Sequence, residues 1–253
     1  MMQPLCFREG EEGRSLEPPN FSAEFQAMLM QALGTWRFDV FTIAQACDGR
    51  PLIATGKAAI GPLAEAMNID LMRLDRFLAA LEERYLVKNS YHNATHAADV
   101  LNTMLYWIRV KGFGGRAGLA APEKLAALCA AAAHDVGHTG MANRFLVSAE
   151  MPLAMLFNDQ SVLENMHCCI AFVVLQADPC NILSDLEPSA KATFRCFMIE
   201  MILATDLAKH FQMVNRFKQD FLGKAHDDEG RAELEVAQRR ELLAFTLKAS
   251  DVA

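Results

Sequence analysis

The run Pro122-Glu-Lys-Leu-Ala-Ala-Leu-Cys-Ala-Ala-Ala-Ala-His134-Asp135-Val-Gly-His138 decides how the rest of the chain is read. Proline fits the first turn of a helix, where its missing N–H is not needed, so a helix is predicted over Glu123–His134. Ala126–Ala133 shows no polar side chain to water, so this helix is expected to be buried. His134 and Asp135 then stand where a buried helix ends. An imidazole and a carboxylate are costly at such a place unless they are paired or hold a metal ion.

Outward from this run, the helical period persists. Ser22 can cap a helix running to Gly34, with Phe25, Met28, Leu29 and Leu33 on one face. Asp70 can cap Leu71–Tyr85, and a further helix should begin near Asn93 and run through Trp107. Ser161-Val-Leu-Glu164 has the form of a capping box opening a helix to about Leu175. Helices near Ala190–Ala204 and Ala232–Ala249 complete the pattern. No stretch alternates with period two, and no repeat stands out, so the fold class is all-α. Residues 1–21, charged and carrying Pro18-Pro19, read as a lead-in, and 22–253 as one domain. The helical pattern up to Ala253 lacks a stop signal and suggests a fragment boundary. Gly112–Gly118 contains a loose glycine pattern but follows a helix rather than a strand, and is expected to be a loop.

The chain has 253 residues, 52% hydrophobic and 22% charged, with 14 Gly and 9 Pro, values that exclude disordered and collagen-like classes. Lys plus Arg number 24 against 31 Asp plus Glu, a net charge of −7, which argues against a duplex nucleic-acid partner. A small anionic substrate stays open, since a bound metal can supply positive charge locally. Seven cysteines without CxxC spacing read as reduced core residues. With no secretory signal and no apolar run long enough to span a bilayer, the expected location is cytoplasmic. The sequons at Asn20 and Asn93 are then chance matches.

Four of the seven histidines form two pairs at i, i+4: His92 with His96, and His134 with His138. On a helix that spacing puts both imidazoles on one face, and Asp99 falls on the face of His92 and His96. The ordinary alternative for one pair is two unrelated surface residues. A His-Asp-x-x-His pattern, at this chain's own frequencies, arises by chance in about one such chain in a hundred. Two clusters, each beside an aspartate, point to a metal site, and imidazole with carboxylate suits zinc, manganese or iron, with magnesium favouring the carboxylate side. His167, His210 and His226 have no partner at ligand spacing and read as structural or solvated. Glu164, Thr205 and Asp206 can each be explained by a helix end alone.

Tyr91–Val100 (Tyr-His-Asn-Ala-Thr-His-Ala-Ala-Asp-Val) and His134–Asn143 (His-Asp-Val-Gly-His-Thr-Gly-Met-Ala-Asn) resemble the signature of class I 3′,5′-cyclic nucleotide phosphodiesterases. The resemblance continues through Asn158–Asn165, Ile202–His210 and Lys248–Ala253, and upstream through Trp36–Phe41, covering about Leu33 to Ala253. It implies a compact multi-helix, HD-type metal phosphohydrolase domain. It implies zinc held tightly by His96, His134, Asp135 and Asp251, with Asp135 bridging to magnesium or manganese at a second site. His138, Asn143, Glu164 and Thr205 match positions that organise the water around the second metal. His92 matches the general acid, while Tyr91 and Asp206 line or support the substrate pocket.

The implied reaction is hydrolysis of a cyclic nucleotide to its 5′-monophosphate by a hydroxide that two metals activate. The departing 3′-alkoxide is too basic to leave unaided, so His92 would hand it a proton. Ile202–His210 is most similar to cAMP-preferring members. The family's catalytic domain continues beyond the position of Asp251, with a Gln and a Phe that clamp the purine and an Asn-Pro directly after the last motif. The competing readings are another HD-type nucleotide phosphohydrolase, which would not require the His92–His96 motif, and a truncated, non-catalytic fragment.

Overall fold

The computed structural model describes residues 19–109, 117–222 and 234–252. Among them are twelve α-helices and no strand, as the helical period predicted. They are α1 (Ala23–Ala32), α2 (Val40–Ala46), α3 (Pro51–Ala66), α4 (Leu71–Glu82), α5 (Ala94–Arg109), α6 (Ala121–Ala133), α7 (Asn143–Ser148), α8 (Pro152–Leu156), α9 (Val162–Gln176), α10 (Pro188–Ala204), α11 (His210–Phe217) and α12 (Val236–Asp251). Most of the glycine-rich loop and His226 lie outside the described residues, as does most of the lead-in.

Helix α6 is the axis of the fold. Leu125–Ala133 are buried without exception, and α3, α5, α10 and α12 all pack against α6. Its alanines allow this, because short side chains let neighbouring helix axes come close on every side. At the start of α6, Glu123 accepts from the Ala120 N–H at 2.9 Å and is buried beside Arg239 of α12, at 3.0 Å.

The caps explain where several other helices begin. Ser22 accepts from the Phe25 N–H at 3.2 Å, Asp70 from Met72 at 2.8 Å, and Asn93 from Thr95 and His96 at 2.9 and 3.2 Å. Three helices end differently from the sequence reading: α4 stops at Glu82 rather than Tyr85, α6 at Ala133 and α1 at Ala32. Glu82 is turned back across α3, where its carboxylate accepts from Leu52 N–H at 2.8 Å and pairs with Arg50. The end of α4 thereby caps the start of α3.

Helix α3 had no counterpart in the sequence reading. Pro62, Gly56 and Gly61 interrupt its propensity, and burial overrides it. Gly56 is required by packing, since a Cβ there would lie 2.6 Å from Leu78 Cδ2 of α4. Helices α7, α8 and the start of α9 share a small separate core of Leu146, Ala154, Val162, Leu163 and Met166, which anchors the segment after His138.

Candidate metal centre and adjoining cavity

Helix α6 ends at Ala133, and the freed carbonyls of its last turn are each taken up. The His134 Nδ1–H donates to Ala131 O at 2.8 Å, the Tyr85 hydroxyl to Ala132 O at 3.0 Å, and the Val136 N–H to Ala133 O at 3.1 Å. Tyr85 also accepts from the Asp135 N–H at 3.3 Å, so one buried phenol holds both sides of the turn. Gly137 continues the turn with φ +76°, its N–H donating to Arg84 O at 3.1 Å.

His134 Nε2, with its other nitrogen committed to a carbonyl, faces three further groups. His96 Nε2 of α5 is 3.2 Å away, Asp135 Oδ2 3.4 Å, and Asp251 Oδ1 of α12 3.4 Å. His96 Nε2 lies 3.0 Å from Asp251 Oδ1 and 3.7 Å from Asp135 Oδ2. All four ligand atoms lie within 4.8 Å of one another. Four donors bound at about 2.0–2.2 Å in a tetrahedron would stand about 3.3–3.6 Å apart, so these separations fit one shared divalent ion. The donor set, two imidazole nitrogens and two carboxylate oxygens, fits as well, and the Ala131 carbonyl fixes the His134 tautomer that offers Nε2.

The charges agree with that geometry. Burial works against ionisation of Asp135 and Asp251, but the imidazoles around them outweigh it and hold both carboxyls well below the usual range. Burial likewise opposes a charged His134, and the same two carboxylates push its pKa well above 6.5. An ion that occupies the cluster must displace that proton. Zinc titrated calorimetrically at pH 7, in buffers of differing ionisation enthalpy, is expected to release about one proton per ion. Release should shrink as pH rises, because less His134 is then protonated.

Asp135 and Asp251 border a cavity of about 790 Å³ whose wall also includes Tyr91, His92, His138, Asn143, Glu164, His167, Thr205 and Asp206. Every site residue that the resemblance implied therefore lies in the cluster or on this wall, whereas Asp99, read from its spacing, lies outside both. Tyr91 rests on the His96 ring at 4.4 Å, and its hydroxyl donates to Asp251 O at 3.4 Å. His92 is stacked on His138, with centroids 3.9 Å apart and planes at 14°. The Asn143 amide donates to both Glu164 oxygens, at 3.1 and 2.8 Å, while burial raises the pKa of that carboxyl. Thr205 donates its hydroxyl to Ile202 O, and Asp206 caps a short 3-10 turn through the Ala208 N–H. The helix-end roles read for these two are real, and both still face the cavity.

The Ser161 capping box is corrected. Ser161 takes a left-handed conformation, φ 43°, and makes no cap bond; its hydroxyl donates instead to Asp206 Oδ2 at 2.8 Å. Asn143 takes over at the start of α9, its Oδ1 accepting from the Leu163 N–H at 2.9 Å. Glu164 is thereby free of a capping role and faces the cavity.

His167, read as structural or solvated, is structural, and it also borders the cavity. It is buried on α9, its Nδ1–H donating to Val136 O at 2.7 Å and its Nε2 lying 3.7 Å from Asp135 Oδ1. Burial lowers its pKa to about 4, so the ring is neutral. The signal was its position three residues after Glu164, on the same helix face. Tyr85 carried no motif at all. Tyr85→Phe is expected to lower unfolding stability by about 1–3 kcal/mol, measured by urea titration, because the Asp135 N–H and the Ala132 carbonyl lose a buried partner. Zinc affinity should fall about tenfold or more with it.

A family model described as 3′5′-cyclic nucleotide phosphodiesterase matches residues 91–253. The high affinity cAMP-specific and IBMX-insensitive 3′,5′-cyclic phosphodiesterase 8A of Mus musculus is 38% identical over 188 residues, covering 72% of this chain and 22% of that protein. The 3′,5′-cyclic-AMP phosphodiesterase 4C of Rattus norvegicus is 36% identical over 185 residues, covering 72% of this chain and 34% of that protein. The phosphodiesterase domain of the RhoPDE fusion protein from the choanoflagellate Salpingoeca rosetta superposes with a TM-score of 0.75 at 30% identity, covering 90% of this chain and 69% of that domain. The chain thus spans between about a fifth and a third of the length of these curated relatives.

Proposed function

The chain belongs to the 3′5′-cyclic nucleotide phosphodiesterase family, and from that premise we propose that it hydrolyses a 3′,5′-cyclic nucleotide, cAMP in preference to cGMP, to the 5′-monophosphate. The observation that carries this reading is the convergence of His96, His134, Asp135 and Asp251 at ligand spacing on the edge of a nucleotide-sized cavity. The preference for cAMP is supported by the relatives, which are a cAMP-specific and a cyclic-AMP phosphodiesterase.

These four residues would hold zinc, and Asp135 would also help to hold magnesium or manganese at a second site. Bound there, the two ions supply Lewis-acid polarisation of the phosphoryl oxygens and an activated water. Asn143 holds the Glu164 carboxylate in place on the cavity wall through two hydrogen bonds. His138, Asn143, Glu164 and Thr205 would order water there, and His167 backs Asp135. His92 hands its proton to the departing 3′-oxygen. Tyr91 and Asp206 border the space the nucleotide would fill. The catalytic domain is assigned to 22–253.

The location proposed is cytoplasmic, in keeping with the free thiols of Cys47, Cys129, Cys168, Cys180 and Cys196. No helix among those residues is long and apolar enough to cross a membrane. The test is incubation of the purified protein with cAMP or cGMP, Zn²⁺ and Mg²⁺, followed by separation of the products. Formation of 5′-AMP, faster than 5′-GMP, is expected. Bound metal without turnover of either nucleotide would instead favour a non-catalytic role.

A further inference from the structure

His92 precedes α5 and belongs to no helix, so the direction of its ring is not set by helical geometry. The main chain there is held from one side by Asn89. The Asn89 side-chain amide donates to His92 O at 3.1 Å and to His138 O at 2.7 Å, joining the approach to α5 with the turn after α6. Asn89 is itself fixed in return: Asn93 Nδ2 donates to Asn89 O at 3.0 Å, and the Asn89 N–H donates to Leu86 O at 3.0 Å. Gly140, at φ +83°, leaves room for it, since a Cβ there would stand 3.1 Å from Asn89 Oδ1.

The two carbonyls so joined belong to the two residues whose rings stack at 3.9 Å. The Gly140 N–H donates to His138 Nδ1 at 3.0 Å, so that nitrogen is an acceptor and the His138 ring proton sits on Nε2. His92 therefore lies flat against a ring whose own orientation is fixed by the Gly140 N–H.

We propose that Asn89 is the positioning residue of the proton-donating half of the site: by bridging the His92 and His138 carbonyls, it keeps the His92 ring stacked and aimed into the cavity. The inference rests on the reading of His92 as proton donor. Neither hydrogen bond reaches the four-residue ligand cluster, so the main defect expected on removing them is in leaving-group protonation.

The test uses the full chain loaded with Zn²⁺ and Mg²⁺, comparing wild type, His92→Gln, Asn89→Ala and the space-filling Asn89→Leu. Two substrates are compared: cAMP, and its analogue with sulfur at the bridging 3′ position, whose thiolate departs without a proton. Asn89→Ala is expected to lower kcat on cAMP about 100-fold with little change in KM, as a misplacement near 1 Å does. The loss should largely vanish on the thio ester, as it should for His92→Gln. An equal loss on both substrates, or none, overturns the inference. Independently of activity, the ring protons of His92 and His138, assigned through His92→Gln and His138→Gln, should show mutual upfield ring-current shifts in wild type. Those shifts should disappear in both Asn89 variants while zinc content and melting temperature hold. A stack that survives overturns the inference and leaves the functional reading standing. Should His92→Gln show no recovery on the thio ester, the reading of His92 as proton donor falls and this inference with it.

Discussion

Replacing Asp135 by alanine is expected to remove both bound metal and turnover. Asp135 is the one carboxylate that faces His96 and His134 with Oδ2 and His167 with Oδ1. On the proposed function, its loss would take one of the four donors from the cluster and the group shared with a second metal. Metal-supplied stabilisation of a phosphoryl transition state amounts to several kcal/mol, which at about 1.4 kcal/mol per tenfold corresponds to about a 1000-fold or larger fall in kcat/KM. Zinc content, measured by mass spectrometry of the protein, should fall in parallel, and added Zn²⁺ should no longer raise the melting temperature. Asp135→Asn keeps shape and removes charge, and should show the same loss of zinc. A variant that keeps its zinc and its activity would refute the placement of Asp135 at the centre of the site.

The second large effect belongs to His92. His92→Gln should lower kcat on cAMP about 100- to 10,000-fold, the range for loss of a positioned general acid. Unlike Asp135→Ala, it should leave the zinc content intact, because the His92 ring lies on the cavity wall and outside the four-residue cluster. The pair of variants thus separates metal binding from proton transfer: one loses both metal and activity, the other activity alone. Zinc loss in His92→Gln would mean that this residue is a ligand, and the assignment of roles would have to be reversed.

Much of the fold could be read from local pattern. Helix α6 was recognisable because proline at its start and an unbroken apolar run leave a buried helix as the only outlet for those residues. The caps at Ser22 and Asp70 were recognisable because a cap bond spans two or three residues. Helix α3 was hidden, because Pro62 and two glycines argue locally against it and only burial between neighbours argues for it. Ser161 misled for the same reason. Its capping box is a correct local pattern, but Asp206, 45 residues away, offers its hydroxyl a carboxylate, and Asn143 is already in place to cap α9.

The sequence by itself determined which groups are available and about where the helices that carry them begin and end, since the buried run of α6 leads up to His134 and α5 starts just after His92, which stands before that helix and not on one face of it with His96. Only the tertiary structure decided which of them meet. His96 and Asp251 are 155 residues apart and lie 3.0 Å from one another, His167 comes up behind Asp135 from α9, and Asn89 joins two turns that share no local pattern. The physical reason is that periodicity acts over a few residues, whereas the meeting of side chains across helices is set by how tightly the alanines of α6 allow α5 and α12 to approach.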